Sequence, residues 1–142
     1  MKKFLLAFLA VGAFSGLQAQ FDVTFQVDMR TEMISPNGLH IAGAMQTPNV
    51  WQPGVDAVTD GNGDGIYEFT FTGVPAGTYE YKFVNGNDWS GPNNNPENIP
   101  AACAVNGNRQ VVVTGNMTVP VHAFNSCDPN PAGNPLTFRV NI

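Results

Sequence analysis

Hydrophobic and polar residues alternate with a period of two along much of the chain after Ala19. In residues 21–29 the odd-numbered positions are apolar and the even-numbered positions are polar, which predicts a half-buried β-strand. The same alternation recurs in residues 67–72 and 79–84, where aromatic side chains occupy the apolar positions. Two sheets can share these aromatic positions in one core. The pattern therefore predicts an all-β fold.

Turn-forming residues separate the predicted strands at intervals of about eight to twelve residues. Turns are expected at residues 36–38, 75–77 and 115–116, which contain Pro, Asn or Gly. The last of these turns would join residues 109–114 and 117–124 in a closing hairpin. This spacing, together with the length of the chain, predicts an antiparallel β-sandwich.

Residues 1–19 have the composition of a signal peptide. Lys2 and Lys3 give a positive start, residues 4–16 are apolar, and Ala19 offers a small residue for cleavage before Gln20. The apolar run is too short to span a bilayer, and no later run is longer. We therefore expect a soluble product that is secreted or held at the cell surface, without membrane insertion.

The C-terminal segment, residues 136–142, resembles the first predicted strand. It reads LTFRVNI, and residues 23–29 read VTFQVDM. The distance between the two segments along the chain matches the length of a whole module. We therefore predict one domain at residues 20–127, a proline-rich linker at 128–135 and the first strand of a second, truncated module at 136–142. Alternatively, residues 136–142 form the last strand of the same sandwich.

The composition narrows the class of ligand. The formal net charge is −5 and 12% of the residues are charged, which excludes ordinary nucleic-acid binding. An amide-rich surface of low charge can instead meet a neutral polar ligand without a large desolvation cost. Cys103 and Cys127 are expected to form a disulfide in an oxidising compartment. Such a bond would contribute about 3 kcal/mol by the chain-entropy estimate.

Residues 60–65 contain a possible calcium loop. Asp60, Asn62 and Asp64 place oxygen ligands at alternate positions, and Gly65 permits a sharp turn. Glu68 comes too early to be the bidentate ligand of an EF-hand loop, and a strand follows where a helix would be needed. A hairpin tip explains the same residues, so we expect neither a metal nor another cofactor.

The sequence contains no recognisable catalytic constellation. His40 and His122 lie far apart and lack a cysteine or acidic cluster at metal-ligand spacing, so both are interpreted as structural. Glu68 and Glu80 could share one face of a sheet, but two surface carboxylates become a glycosidase pair only in a suitable cleft. No serine lies in a nucleophile-elbow pattern. We therefore expect a protein that is not an enzyme.

Trp51 and Trp89 both lie in loops rich in Pro, Asn and Gly rather than in alternating strands. An indole in such a loop can stack on the C–H face of a sugar ring while neighbouring amides bond to the hydroxyl groups. The same position also suits an aromatic plug that closes one end of the sandwich. The spacing alone leaves both interpretations open.

Four segments together resemble a known family. Residues 39–45, 60–67, 75–83 and 85–89 are similar to the successive signatures of starch- and glycogen-binding modules, carbohydrate-binding module families 48 and 20. The most specific part is the pattern GxYxYKFVxGxxW that ends at Trp89. The resemblance implies an immunoglobulin-like β-sandwich. The sequence also resembles modules of this type that occur in tandem in secreted bacterial proteins.

The resemblance also implies a set of binding residues. In these relatives an α-glucan groove is lined by two indoles, one amine and one or two amides. The matching positions of this sequence are Trp51, Lys82, Trp89, Asn106 and Asn108. The stretch from Gly43 to Trp51 is longer than the family spacing and contains Pro48. We therefore expect Trp51 to be displaced from the groove and to contribute less than Trp89.

These observations predict an exported, non-catalytic module that binds an α-glucan such as starch or glycogen and belongs to a larger multi-module protein. The alternative is a structural or adhesive immunoglobulin-like spacer of a surface protein, without sugar binding. The exposure of the indoles distinguishes the two functions. Exposed, coplanar rings favour binding, and buried rings favour the spacer.

Overall fold

Two β-sheets form the part of the chain that the structure describes, residues 16–129 of a computed structural model. Most of the predicted signal peptide, most of the predicted linker at residues 128–135 and the repeat at residues 136–142 lie outside the described residues. In chain order the strands are β1 (Gln20–Asp28), β2 (Leu39–Gly43), β3 (Asp56–Ala57), β4 (Ile66–Pro75), β5 (Gly77–Asn85), β6 (Asn95–Pro96), β7 (Arg109–Val113), β8 (Met117–Thr118) and β9 (His122–Ala123). No helix within residues 16–129 has the length and apolar character needed to cross a membrane.

The first sheet is built around β1, and the second around β5. β1 pairs antiparallel with β4 and, in parallel, with the short strands β8 and β9. β5 pairs antiparallel with β2, β6 and β7, and β3 extends the sheet beyond β2. Antiparallel pairing therefore dominates. The all-β sandwich expected from the sequence is confirmed.

The core lies between the two sheets and is largely aromatic at its centre. Phe25 of β1 makes edge-to-face contacts with Phe71 of β4 and with Tyr81 of β5, at centroid distances of 5.7 and 4.7 Å. Tyr81 and Phe83 are both buried, as the period-two pattern of β5 predicts. The Phe25–Tyr81 contact joins one sheet to the other, so the aromatic positions do form a shared core.

The end of the described chain departs from the predicted closing hairpin. Residues 109–113 pair with β5 in the second sheet, whereas residues 117–118 and 122–123 pair with β1 in the first. The chain therefore crosses between the sheets at residues 114–116. Asn116 fixes this crossing, because its side-chain oxygen accepts a hydrogen bond from the Asp22 N–H at 2.9 Å.

A covalent bond and a buried ion pair hold the irregular segment between β6 and the end of the described chain. Cys103 and Cys127 form the predicted disulfide, with their Cα atoms 5.7 Å apart. Arg109 pairs with Glu97, and both side chains are buried. The Arg109 guanidinium also donates to the carbonyl oxygens of Ala123 and Ser126, each at 3.0 Å. The ion pair therefore ties the chain after β6 to the chain after β9.

Candidate functional site

The two tryptophans lie side by side on the surface. Their ring centroids are 6.3 Å apart and the ring planes are tilted by 47°. Trp89 is 38% exposed and Trp51 is half-buried. The long segment between Gly43 and Trp51 does not carry Trp51 away from Trp89. Two loops that are distant in sequence thus present one aromatic pair.

The Trp89 loop, residues 86–94, is shaped by the side chain of Asn94. Its Oδ1 accepts hydrogen bonds from the N–H groups of Asn87 and Asp88 at 2.9 and 3.2 Å, and its Nδ2 donates to the Ser90 carbonyl at 2.8 Å. A Cβ atom at Gly86, which has a φ of 143°, would lie 2.7 Å from the Asn94 Cα. Glycine at this position therefore lets Asn94 close the loop and present Trp89.

The Trp51 loop, residues 44–55, is organised around the buried side chain of Gln46. Its Oε1 accepts from the N–H groups of Gly43 and Gln52, and its Nε2 donates to the Gln52 carbonyl and to Asp56 Oδ2 at 2.6 Å. Trp51 itself has a φ of 59°, a conformation that a bulky residue rarely adopts. Its N–H donates to the Gly43 carbonyl at 3.3 Å. The network around Gln46 thus fixes a strained backbone at Trp51.

Both loops are hydrogen-bonded to β2 of the second sheet. Ala42 and Val84 face away from the core on neighbouring strands, as alternation places them, yet neither is exposed. The Trp51 N–H donates to the carbonyl oxygen of Gly43 at the end of β2. His40 Nδ1, also on β2, lies 2.7 Å from the carbonyl oxygen of Gly86 at the start of the Trp89 loop. His40 therefore has a structural role, as its sequence context predicted.

Lys82 projects from the same outer face of β5. It pairs across the sheet with Ala42, and its two neighbours in sequence, Tyr81 and Phe83, are buried in the core. Lys82 is half-buried. No hydrogen bond or ion pair involves its side chain among the residues that the structure describes. Its ammonium group therefore retains its donors for a ligand.

Asn106 and Asn108 are held at this face by hydrogen bonds to Glu80 of β5. The amide groups of both asparagines donate to the Glu80 carboxylate, one to each oxygen, at 2.9 Å. Asn106 and Gly107 form the centre of a tight turn, with φ values of 52° and 77°, in which Val105 and Asn108 exchange both backbone hydrogen bonds. Glu80 and Lys82 are two positions apart on one strand, a separation of about 7 Å. The amides and the amine therefore share one surface.

The Asp60 segment is an internally bonded turn. Asp60 accepts hydrogen bonds from the backbone N–H groups of Gly65, Gly63 and Asp64, and these bonds, with Gly65 first, hold its pKa below the ordinary value. Asn62 and Asp64 bond to each other. Thr59 and Glu68 exchange backbone hydrogen bonds below this tip. Residues 16–129 contain no cluster of three His, Cys, Asp or Glu side chains suited to a metal ion.

The other titratable groups occupy structural positions. Burial lowers the pKa of His122, whose Nδ1 lies 3.0 Å from the Pro120 carbonyl oxygen. Burial also raises the pKa of Tyr81. Glu68 accepts a hydrogen bond from Gln26 on the neighbouring strand of the first sheet, whereas Glu80 belongs to the second. The two carboxylates are therefore on different sheets and do not form a pair.

Concave pockets of about 330, 240 and 360 Å³ occur elsewhere on the described surface, and neither indole lines any of them. Trp51 and Trp89 therefore lie outside these three pockets and form an aromatic patch on the surface. Such a surface suits a chain-like ligand that passes over it.

Sequence reasoning did not identify three residues that build this site: Gln46, Glu80 and Asn94. Each is a single polar side chain that bonds to several partners at no regular spacing along the sequence, so no periodicity reveals it. The sequence did contain one indication of the role of Gln46. A side chain with both donor and acceptor groups in a proline-rich loop can bond to backbone groups that no regular element satisfies.

A comparison with protein families places the candidate residues in a known type of domain. The family model described as the pullulanase X25 domain matches residues 40–120, more than half of the chain and a range that includes both indoles, Lys82 and the two asparagines. No curated protein matches the chain. The family match supports a module related to those that the sequence resembles, without assigning it to families 48 or 20. The chain therefore belongs to the pullulanase X25 domain family.

Proposed function

We propose that this protein is a non-catalytic module that binds an α-glucan through Trp51 and Trp89. The observation that carries the proposal is the pairing of these two indoles, 6.3 Å apart, from separate loops. Sugar rings present C–H faces to aromatic rings, and adjacent rings can contact adjacent sugars. The two ring planes are tilted by 47° and not coplanar, so a ligand that stacks on both rings must bend between the two contacts.

The polar residues around the indoles match the same ligand. Lys82 offers an ammonium donor, and the side chains of Asn106 and Asn108 keep their carbonyl oxygens available because Glu80 accepts from their amide nitrogens. A neutral polyol has both the hydroxyl hydrogens and the hydroxyl oxygens that these groups require. The description of the matched family, which names pullulanases, supports an α-glucan as the ligand, as does the resemblance to starch- and glycogen-binding modules.

A spacer function is the second candidate, and a specific observation favours it. Trp51 is only partly exposed, and Ala42 and Val84 on the outer face of the second sheet are fully buried. The two rings are also tilted by 47° and not coplanar, whereas coplanar, exposed rings are the arrangement that favours binding. In this case the aromatic pair would seal the outer face of the second sheet. The module would then separate or join other domains of a surface protein without binding sugar.

Retention in gels that contain starch, glycogen or a β-glucan tests the proposal. We expect the wild-type protein to be retarded by the α-glucans only. Trp89→Ala should remove a contact worth about 1–3 kcal/mol, or about ten- to a hundredfold in affinity, and abolish retention. Trp51→Ala should weaken it less, because Trp51 is less exposed. Retention of Trp89→Ala equal to wild type would favour the spacer.

A second variant tests the polar part of the site. Glu80→Gln can accept from one asparagine amide but presents an NH₂ group to the other, so one of the two amides should turn away. We expect weaker retention with little change in melting temperature. Glu68→Gln on the first sheet is the matched control, because its carboxylate bonds only to Gln26 among the side chains that the structure describes. This control should be retained like wild type.

We further propose that the module at residues 20–127 is exported and is followed by a linker at residues 128–135 and by the first strand of a second, truncated module at residues 136–142. The repeat of residues 23–29 at 136–142 supports this arrangement, because β1 is the strand that opens the sandwich. Sequencing the N-terminus of the protein recovered from outside the producing cell tests the export. A new N-terminus at Gln20 is expected, and an intact Met1 would contradict the proposed cleavage.

A further inference from the structure

We propose that a second saccharide subsite lies on the other arm of the Trp89 loop. A pocket of about 360 Å³ separates residues 33–36 from residues 93–95. Its volume falls in the range of about 300–1,000 Å³ that is usual for small-molecule sites. The ligand class rests on the proposed function, whereas the location of the subsite does not depend on the indole pair.

The walls of this pocket are tied together before any ligand binds. Asn85, at the end of β5, accepts from the Ser35 N–H and donates to the Met33 carbonyl, both at 2.8 Å. Ser35 Oγ donates to the Asn93 carbonyl at 2.6 Å, and Asn85 pairs with Asn95 across the sheet. The two walls therefore cannot separate without breaking these hydrogen bonds. A ligand would meet a preformed site.

The chemistry of the lining suits a neutral sugar. Met33, Ile34 and Pro36 form an apolar side, and Met33 is 91% exposed although it is a large hydrophobic residue. On the opposite side, the side chains of Asn93 and Asn95 are exposed and make no hydrogen bond with any described residue. Within the described part of the chain, no charged side chain lines the pocket. An uncharged ligand with both C–H surfaces and hydroxyl groups satisfies all of these groups.

The subsite and the indole pair are connected through one loop. Asn94 lines the pocket and also bonds to the backbone of Asn87, Asp88 and Ser90, which surround Trp89. A glucan long enough to cross this loop can contact both places, while a disaccharide can occupy only one at a time. The second contact would then be intramolecular and would strengthen the binding of long chains selectively.

Nuclear magnetic resonance of the full, isotope-labelled chain tests the subsite. The probes are maltose and maltoheptaose, and the signals are the side-chain amides of Asn93 and Asn95 and the two indole N–H groups. We expect both ligands to shift all four signals. The double variant Met33→Ala/Asn95→Ala should abolish the Asn93 shift and weaken maltoheptaose binding about tenfold. The shifts that maltose causes in the indole N–H signals should be the same as in wild type.

A double variant at comparable exposed positions, Val112→Ala/Asn98→Ala, is the control and should bind both ligands like wild type. If only the indole signals move, the second subsite is wrong and the proposed function stands. If only Asn93 and Asn95 move, the subsite stands and the proposed role of the indoles is wrong. If none of the four signals moves, both proposals are overturned.

Discussion

At the scale of single residues, Trp51 carries a backbone cost that its loop must offset. A φ of 59° places this L-residue in the left-handed region, which costs about 1–2 kcal/mol relative to the right-handed one. Strain of this kind is commonly retained where a side chain has a function. The buried Gln46 side chain supplies the hydrogen bonds that hold it. This conformation brings the indole beside Trp89.

The strain predicts an unusual order of stability for two substitutions. Trp51→Ala and Trp51→Gly remove the same indole, but only glycine adopts a positive φ without steric cost. We therefore expect Trp51→Gly to be about 1 kcal/mol more stable than Trp51→Ala, measured by urea unfolding. Equal stabilities, or a less stable glycine variant, would show that the backbone at position 51 is not strained.

His122 predicts a pH dependence of stability. Burial lowers the pKa of folded His122 below its ordinary value of 6.5, and the nearby Arg109 lowers it further. The unfolded chain therefore takes up a proton below about pH 6.5 while the folded protein stays neutral at this position, so stability is lost as the pH falls through this window and is fully present above it. We expect the melting temperature to fall between pH 7 and pH 5.

The variant His122→Gln isolates this effect, because an amide keeps a donor toward the Pro120 carbonyl but does not titrate in that range. Its melting temperature should change less than that of wild type between pH 7 and pH 5. The same loss in both proteins would assign the pH dependence to other groups that titrate between pH 5 and pH 7.

At the scale of elements, the alternation of side chains located most long strands but did not determine their partners. The apolar positions of β1, β4 and β5 follow the period-two pattern because each strand buries one face. The predicted hairpin of residues 109–124 was wrong for a different reason. Periodicity reports which face is buried, and both sheets bury a face against the same core, so β7 and β8 could belong to either one.

The candidate site could likewise be predicted from the sequence only in part. The two indoles were recognisable from their loops, since the core was already supplied by other aromatic residues. Their proximity was not, because it depends on Gln46 and Asn94, each of which bonds to residues brought near only by the folded loops. The role of Glu80 was also not predictable. A carboxylate on an exposed strand face resembles any surface charge until the Asn106 turn folds back onto it.

The ion pair between Glu97, which follows β6, and Arg109 of β7 yields a prediction at this scale. Glu97 is fully buried and bonds to Arg109, to the Phe83 N–H and to the Asn125 N–H. Glu97→Gln leaves the buried guanidinium without a counter-charge, which typically costs about 3–5 kcal/mol. We expect a loss of that size in chemical unfolding, whereas the exposed Glu68→Gln should change stability by less than about 1 kcal/mol.

At the scale of the whole molecule, the late segment that contributes to stability is separate from the two indole loops, although it carries Asn106 and Asn108 of the candidate site. The disulfide and the Glu97–Arg109 pair act within residues 97–127, which contain β7 of the second sheet and β8 and β9 of the first. The indole loops are held by Gln46 and Asn94, whose side chains bond only within residues 37–56 and 85–94 of the described chain. Changes in the late segment should therefore alter the unfolding temperature more than the geometry of the indoles.

Removing the disulfide tests this separation. The bond closes a loop between residues that are 24 positions apart, so its loss should cost about 3 kcal/mol, mainly by freeing the unfolded chain. For a domain of this size, the melting temperature should fall by about 10–20 °C.

The double variant Cys103→Ser/Cys127→Ser avoids mispaired thiols, and tryptophan fluorescence of the folded protein reports the indole pair. We expect an unchanged emission spectrum with a lower melting temperature, because no contact of Cys103 or Cys127 reaches either indole loop among the hydrogen bonds that the structure describes. A shifted spectrum in the folded double variant would show that the late segment also sets the geometry of the site, and an unchanged melting temperature would show that the ion pair alone holds that segment.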